Sequence, residues 1–240
     1  RDSERWIGQT SKGDWVVALF NRSDSTVTKS IDFESILGLS YGGYVHDVWK
    51  HTNLGSMTSY SVSLRPHDVS MIIISPDRTN ATAIRYEAEV ASYQNGAHFN
   101  NDHTGCSGEG FVDQLSGEHT GADVLFGVYA DYTGSHRITM RYANATGAAS
   151  SATIKVKSET NAQVDTAVLS LPALSSWDDW GTASVSVELN QGLNLISVGR
   201  ETTDTGAFNL DCIDVYMAEI NNAGFETGTI TGWAAEGNNY

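Results

Sequence analysis

Proline occurs 3 times in 240 residues, cysteine twice, and basic side chains only 14 times against 29 acidic ones. With so little proline, the turns fall to glycine, and 23 of them are present. Together with 10 Tyr, 6 Trp and Ser and Thr throughout, they describe short strands joined by glycine turns, and no stretch has a convincing helical period. The longest apolar stretch, around Val16–Phe20, falls far short of the roughly 20 residues that a membrane-crossing helix needs. A formal charge of −15 disfavours nucleic acid and anionic membranes as partners. Cations and neutral polar ligands remain. There is no nucleophile elbow, phosphate loop or zinc-type cysteine pattern.

The acidity is unevenly spread. Residues 1–78 are nearly balanced and 79–218 carry most of the negative charge, with a polar, proline-bearing stretch, Pro76 to Thr82, between them. The first segment alternates as half-buried strands at Asp14–Asn21, at Val27, Lys29, Ile31 and Phe33, at Tyr44–Trp49, at Tyr60, Val62 and Leu64, and at Val69–Ile74. About six strands in 75 residues suit a small β-sandwich. The second segment restarts at Ile84–Val90 and continues through eight or so further short strands to Leu210–Tyr216, the number that a jelly roll stacks into two sheets. The expected fold class is therefore all-β, with two antiparallel β-sandwich domains, the second a jelly roll. The expected divisions are 1–78, 79–218, and 219–240 as the start of a further β-module, so the chain reads as a fragment.

The strongest chemical feature is Tyr86-Glu87-Ala88-Glu89-Val90. On a strand Glu87 and Glu89 project together, about 7 Å apart. Parallel carboxylates repel unless a cation lies between them, and hard oxygens suit calcium. Asp211 is the expected third carboxylate, with Asp214 in reserve; the plain alternative is an acidic, solvated strand face. Trp177-Asp178-Asp179-Trp180 lies in a polar loop. An exposed indole is a surface on which the C–H face of a sugar packs, so Trp177 is expected outside and Trp180 inside. Both rings buried is the alternative. Asn209 shares a strand face with Asp211, and its amide suits a vicinal diol. Cys106 and Cys212 form a possible disulfide, or Cys212 is a buried thiol. His98 and His103 read as surface imidazoles. Asn21, Asn80 and Asn144 each begin an Asn-x-Ser/Thr sequon.

Residues 84–216 resemble a family 35 carbohydrate-binding module, with relatives in family 6. The resemblance is carried by Tyr86-Glu87-Ala88-Glu89, Ser107-Gly108-Glu109-Gly110-Phe111-Val112, Arg141-Tyr142-Ala143-Asn144, Trp177-Asp178-Asp179-Trp180, Leu193-Asn194-Leu195-Ile196 and Asn209-Leu210-Asp211-Cys212-Ile213, in that order. It implies a calcium-containing jelly roll with metal ligands Glu87, Glu89 and Asp211. It also implies a sugar site at Trp177 and Asn209, with Asp113, Gln114 and Asn144 as weaker candidates. The first segment is similar to the C-terminal β-sandwich of family 27 α-galactosidase-type hydrolases, through Trp15–Arg22, Val48–His51 and Pro66–Ser70. In that family the sandwich follows a catalytic barrel of about 250 residues, and no such pattern is present in this chain.

These readings converge on non-catalytic binding of a polysaccharide or oligosaccharide by a calcium-stabilised module. The module would belong to a secreted, extracellular glycoside hydrolase, α-galactosidase-like or α-glucan-active, and be covalently linked to the hydrolase domains; no catalytic residue is assigned. The rivals are a small β-sandwich glycosidase or lyase, and a structural cell-surface adhesin.

Overall fold

The computed structural model describes residues 4–78 and 82–216. The module expected at 219–240 and the sequon at Asn80 lie outside the described residues. Strands β1 (Arg5–Gln9), β2 (Trp15–Phe20) and β3 (Val27–Asp32) lead into helix α1 (Phe33–Leu37), followed by β4 (Gly43–Asp47), β5 (Thr52–Met57), β6 (Ser59–Leu64) and β7 (Val69–Pro76). A five-stranded antiparallel sheet, β1-β2-β7-β4-β5, covers a two-stranded antiparallel sheet, β3-β6. The alternation in β2 and β7 buries Trp15, Val17 and Leu19 against Ile72 and Ile74, and they meet Ile31, Leu64 and Tyr60 from the two-stranded sheet.

Phe33, expected to continue the strand, instead opens α1. Asp32 stops the strand because its Oδ1 accepts the Ser35 amide at 2.8 Å, capping the helix. Gly38, at φ +67°, closes it with its amide and that of Leu39 bonded back to Glu34 and Phe33. The turn thereby drops Phe33 and Leu37 into the core.

The second sandwich comprises β8 (Ala83–Glu87), β9 (Ser92–Gln94), β10 (His98–Asn100), β11 (Phe111–Leu115), β12 (Asp123–Ala130), β13 (Gly134–Ala143), β14 (Ser150–Ser158), β15 (Gln163–Leu171), β16 (Gly181–Leu189), β17 (Gly192–Gly199) and β18 (Phe208–Tyr216). One sheet has the order β10-β11-β18-β13-β16, with β8 also on β18, and the other is β15-β14-β17-β12-β9. All the pairings are antiparallel. The core between the sheets includes Phe126, Ile138, Met140, Ile154, Ile196 and Ile213. The fold is therefore all-β, two antiparallel sandwiches with the second a jelly roll.

β18 is flanked by β13 on one side and, on the other, by β8 along Cys212–Tyr216 and β11 along Phe208–Leu210. Asp211 falls at the change of partner.

The two sequons within the described residues are structural. Asn144 is fully buried; its amide donates to the carbonyls of Ala148 and Leu171, and its oxygen accepts the Thr146 amide and hydroxyl. Asn21 does the same in the first sandwich, donating to Ser25, Leu64 and Arg65 and accepting from Ser23. In the folded chain neither amide is available to a glycan, and Asn144, expected as a weak sugar ligand, is corrected to the pin of a turn. Replacing Asn144 with Ala strands buried backbone groups. It should lower the unfolding free energy in urea by about 1–3 kcal/mol and leave glycan retention by the folded fraction unchanged.

Candidate functional site

The acidic motif does not sit on one strand face as expected. β8 ends at Glu87, and Ala88–Val90 forms a single 3-10 turn. Glu87, Glu89 and Asp211 are 1%, 3% and 0% exposed, so the reading of a solvated acidic face is overturned. The Ser107-Gly108-Glu109-Gly110 loop fills the gap beside Asp211 and engages all three carboxylates. The Ser107 amide donates to Asp211 Oδ1 at 2.9 Å, and its hydroxyl reaches Glu87 Oε2 at 2.8 Å and Asp211 Oδ2 at 3.0 Å. The Glu109 amide donates to Glu89 Oε1 at 3.0 Å. Gly108, at φ +61°, has to be glycine, because a Cβ there would lie 2.1 Å from Glu89 Oε1. Arg141 completes the cluster with an ion pair to Asp211.

Burial raises the affinity of these carboxyls for protons. Desolvation, then the charges of Glu89 and Asp211, push Glu87 well above its ordinary value. Desolvation lifts Glu89 to about 8, and it raises Asp211 as well, against the pull of Arg141. Glu87 Oε1 is buried with no hydrogen-bond partner among the described residues. The donor chemistry therefore fits a hard cation: oxygen ligands out of water, with more negative charge than Arg141 balances. Among the described residues no group of three or more His, Cys, Asp or Glu side chains is already drawn around one point. Asp211 is held by Arg141 and Ser107, which makes Glu87 and Glu89 the better-suited ligands.

Cys106 and Cys212 are separate thiols. The possible disulfide is not formed. Cys212 is fully buried on β18, whereas Cys106 lies in the loop with its Sγ 3.9 Å from the His103 carbonyl. Burial raises both thiols, Cys106 to about 11.

At the same end of the sandwich, loop 101–110 meets loop 172–180. Asp178 Oδ1 accepts the Thr104 amide at 2.7 Å and its hydroxyl at 3.2 Å, which holds the Asp178 carboxyl below its usual range. Trp180 Nε1 donates to the Thr104 carbonyl at 2.9 Å. Rings follow one another across this junction: Trp177 to His103 at 6.3 Å, His103 to Phe111 at 5.7 Å, and Phe111 edge-on to Trp180 at 5.4 Å. Trp177 and Trp180 are both half-buried, so the expected division into one outer and one inner ring is replaced by a shared ledge. His103, expected as an idle surface imidazole, is its middle member and lies 3.6 Å from Asp178.

The remaining expected site residues lie at the other end of loop 101–110. Asp113 accepts from the Asn100 amide at 2.8 Å and stands 3.3 Å from His98 Nδ1. A bulge between Val112 and Leu115 carries Asp113 and Gln114, the latter at φ +61°, beside Asn209 on β18. Asn209 is 7% exposed. The loop thus runs from an amide-and-carboxylate corner to an aromatic ledge. The roles of Thr104, Phe111 and Arg141 here were not read from the sequence, although Phe111 and Arg141 lie in motifs that carry the resemblance, because partners such as Asp178, Trp180 and Asp211 lie about 70 residues away.

The second sandwich is thus a jelly roll with a buried carboxylate cluster and an aromatic ledge at one end. The chain belongs to the carbohydrate binding module family 6, whose model matches residues 87–216, and residues 1–74 match the alpha galactosidase C-terminal beta sandwich domain. The isomalto-dextranase of Arthrobacter globiformis is 42% identical over 226 residues, 90% of this chain and 35% of that protein. The solved isomalto-dextranase of Arthrobacter globiformis T6 complexed with panose superposes with a TM-score of 0.84 at 44% identity, over 90% of this chain and 37% of that one. A family 35 carbohydrate binding module from Clostridium thermocellum is 28% identical, covering 57% of this chain and 100% of its own, with a TM-score of 0.49. The chain thus spans about a third of the length of the curated relative it matches over most of its own length.

A carboxyl that holds its proton more tightly when folded favours folding below its unfolded value, and the advantage is lost as pH rises through the folded value. In the presence of a chelator, the melting temperature of the second sandwich should therefore fall between about pH 4.5 and about pH 8, the interval set by Glu89. Replacing Glu89 with Gln should flatten that fall; a Glu89→Gln profile parallel to the parent's would contradict the assignment.

Proposed function

We propose that this chain is the non-catalytic, glycan-holding part of a secreted glycoside hydrolase acting on α-1,6-linked glucan. In this reading the second sandwich grips the polysaccharide at the Trp177 ledge. The single observation that carries the reading is that ledge: a half-exposed indole backed by His103 and tied down by Asp178 and Thr104. A pyranose ring packs its C–H face on such a surface, while Asp113, Gln114 and Asn209 offer hydroxyl partners at the far end of the same loop. The choice of α-1,6-glucan over α-galactosides rests on the isomalto-dextranase relative, which shares both sandwiches with this chain.

Each contact of this kind exchanges water hydrogen bonds for sugar hydrogen bonds at small net gain, so a single site is weak. Its value lies in keeping the substrate at high effective concentration near a linked catalytic domain. Calcium is the proposed structural ion at Glu87 and Glu89, with Asp211 held in place by Arg141 and Ser107. Bound there, it would offset carboxylate charge and tie β8 to the Ser107–Gly110 loop. Extracellular surroundings, where calcium is plentiful, suit such a site.

Trp177→Ala should weaken retention on dextran by on the order of tenfold, about 1.4 kcal/mol, with an unchanged melting curve. Retention equal to the parent's would remove the ledge from the site, and turnover of dextran by this chain alone would overturn the non-catalytic reading. Chelation should lower the melting temperature by several degrees, with calcium restoring it, as expected when a ligand binds only the folded state. A melting curve indifferent to thorough chelation would remove the ion.

A further inference from the structure

A second aromatic surface lies well away from the loop ledge. Trp6, on the edge strand β1, is 53% exposed although it is among the largest apolar side chains of the chain. Its indole is not loose. Gly8 follows two residues later on the same strand face, and a Cβ built there would lie 3.1 Å from Trp6 Cη2 and 3.3 Å from Cζ2. The outer edge of the six-membered ring therefore lies against Gly8 of its own strand, while about half of the side chain's surface stays open to solvent. A side chain at residue 8 would press on the ring edge and shift it, most of all a β-branched one.

This indole forms one wall of a cleft of about 460 Å³ between the two sandwiches. The first sandwich contributes Arg5, Trp6 and Gly8; the second contributes Ser92, Tyr93 and Glu109. The volume falls within the roughly 300–1,000 Å³ of ordinary small-ligand sites. The Arg5–Glu109 ion pair crosses the cleft, so its strongest positive group is already matched. An exposed indole, a second ring, hydroxyls and an internally neutralised ion pair favour a neutral pyranose chain over a uronate, whose carboxylate would find no uncommitted cation among the lining residues.

We propose that the Trp6 cleft is a second glycan-binding site, built jointly by the two sandwiches and specific for neutral pyranose chains. It stands independently of the Trp177 ledge. The test is affinity electrophoresis of the full 240-residue chain in gels containing dextran, galactomannan or polygalacturonate. The parent is compared with Trp177→Ala, with Trp6→Ala, with the double variant, and with Gly8→Val and Trp6→Phe in the Trp177→Ala background. Retention of Trp177→Ala on a neutral glycan, reduced roughly fivefold or more by adding Trp6→Ala, is the expected result. Gly8→Val should reproduce that loss with Trp6 still present, and Trp6→Phe should keep part of the retention, which separates loss of the platform from loss of folding. If Trp6→Ala alone abolishes retention while Trp177→Ala does not, the cleft stands and the ledge falls. The inference is overturned if Trp177→Ala leaves no retention on either neutral glycan, if Trp6→Ala leaves the residual retention unchanged, or if the Trp6-dependent retention is confined to polygalacturonate.

Discussion

The loop end of the second sandwich that carries the carboxylate cluster and the aromatic ledge depends on one carboxylate in the middle of one strand. Asp211 is fully buried because β18 changes partner there, from β8 at Cys212 to β11 at Leu210. Neither neighbour supplies a ladder residue opposite it. The Ser107 amide occupies that place instead, donating to the side chain of Asp211. A charge buried this deeply is tolerated only when hydrogen-bonded and paired, which is why a serine and a guanidinium gather around it. Gly110, at the end of the same loop, is pressed by β10 instead, since a Cβ there would lie 2.4 Å from the Asn100 carbonyl.

Arg141 carries this constraint outward. One guanidinium pairs with Asp211, donates to the Gly105 carbonyl at 2.8 Å and lies over Trp180 at 5.3 Å. Its planar fork allows all three at once, and a lysine ammonium would satisfy the charge without the stacking. Through Gly105 and Trp180 the same contact reaches Thr104, and through Thr104 it reaches Asp178. The aromatic ledge is therefore positioned from the carboxylate cluster rather than by the loop's own preferences.

The all-β class, the two sandwiches and the jelly-roll order were legible because alternation in segments such as Trp15–Phe20 and Leu193–Val198 is imposed by one-sided burial, a local property. Glu87, Glu89 and Trp177 also stand out in the sequence as unusual residues in their settings. What escaped was non-local. The 3-10 turn at Ala88–Val90 looks like three more strand residues, whereas in the fold it places Ala88 in the core and Glu89 under loop 107–110, where it accepts the Glu109 amide. Asn144 and Asn21 carry a sequon that describes a glycan acceptor as well as it describes a buried turn. The choice is made by carbonyls at Leu171 and Leu64, far along the chain. His103 has no pattern at all, and its place comes from Phe111 and Trp177.

The junction between the sandwiches follows from the exposed edge of β8. That strand pairs with β18 on one side, and its other side would present unpaired backbone groups, a liability in any sheet. Gln9 of the first sandwich covers it: its amide donates to the Arg85 carbonyl at 2.7 Å and accepts the Glu87 amide at 3.2 Å. The carbonyl of residue i and the amide of i+2 face the same way on a strand, so one side chain imitates a pairing residue of a neighbouring strand. The Ser11 carbonyl adds two more ties, accepting from the Tyr86 hydroxyl and the Tyr129 amide, each at 2.8 Å. Three of the groups met on the second sandwich, the Arg85 carbonyl and the Glu87 and Tyr129 amides, are backbone atoms, whose directions are set by the sheet. The orientation of one sandwich on the other is thereby fixed by strand geometry, and the carboxylates at the end of β8 are held from both domains.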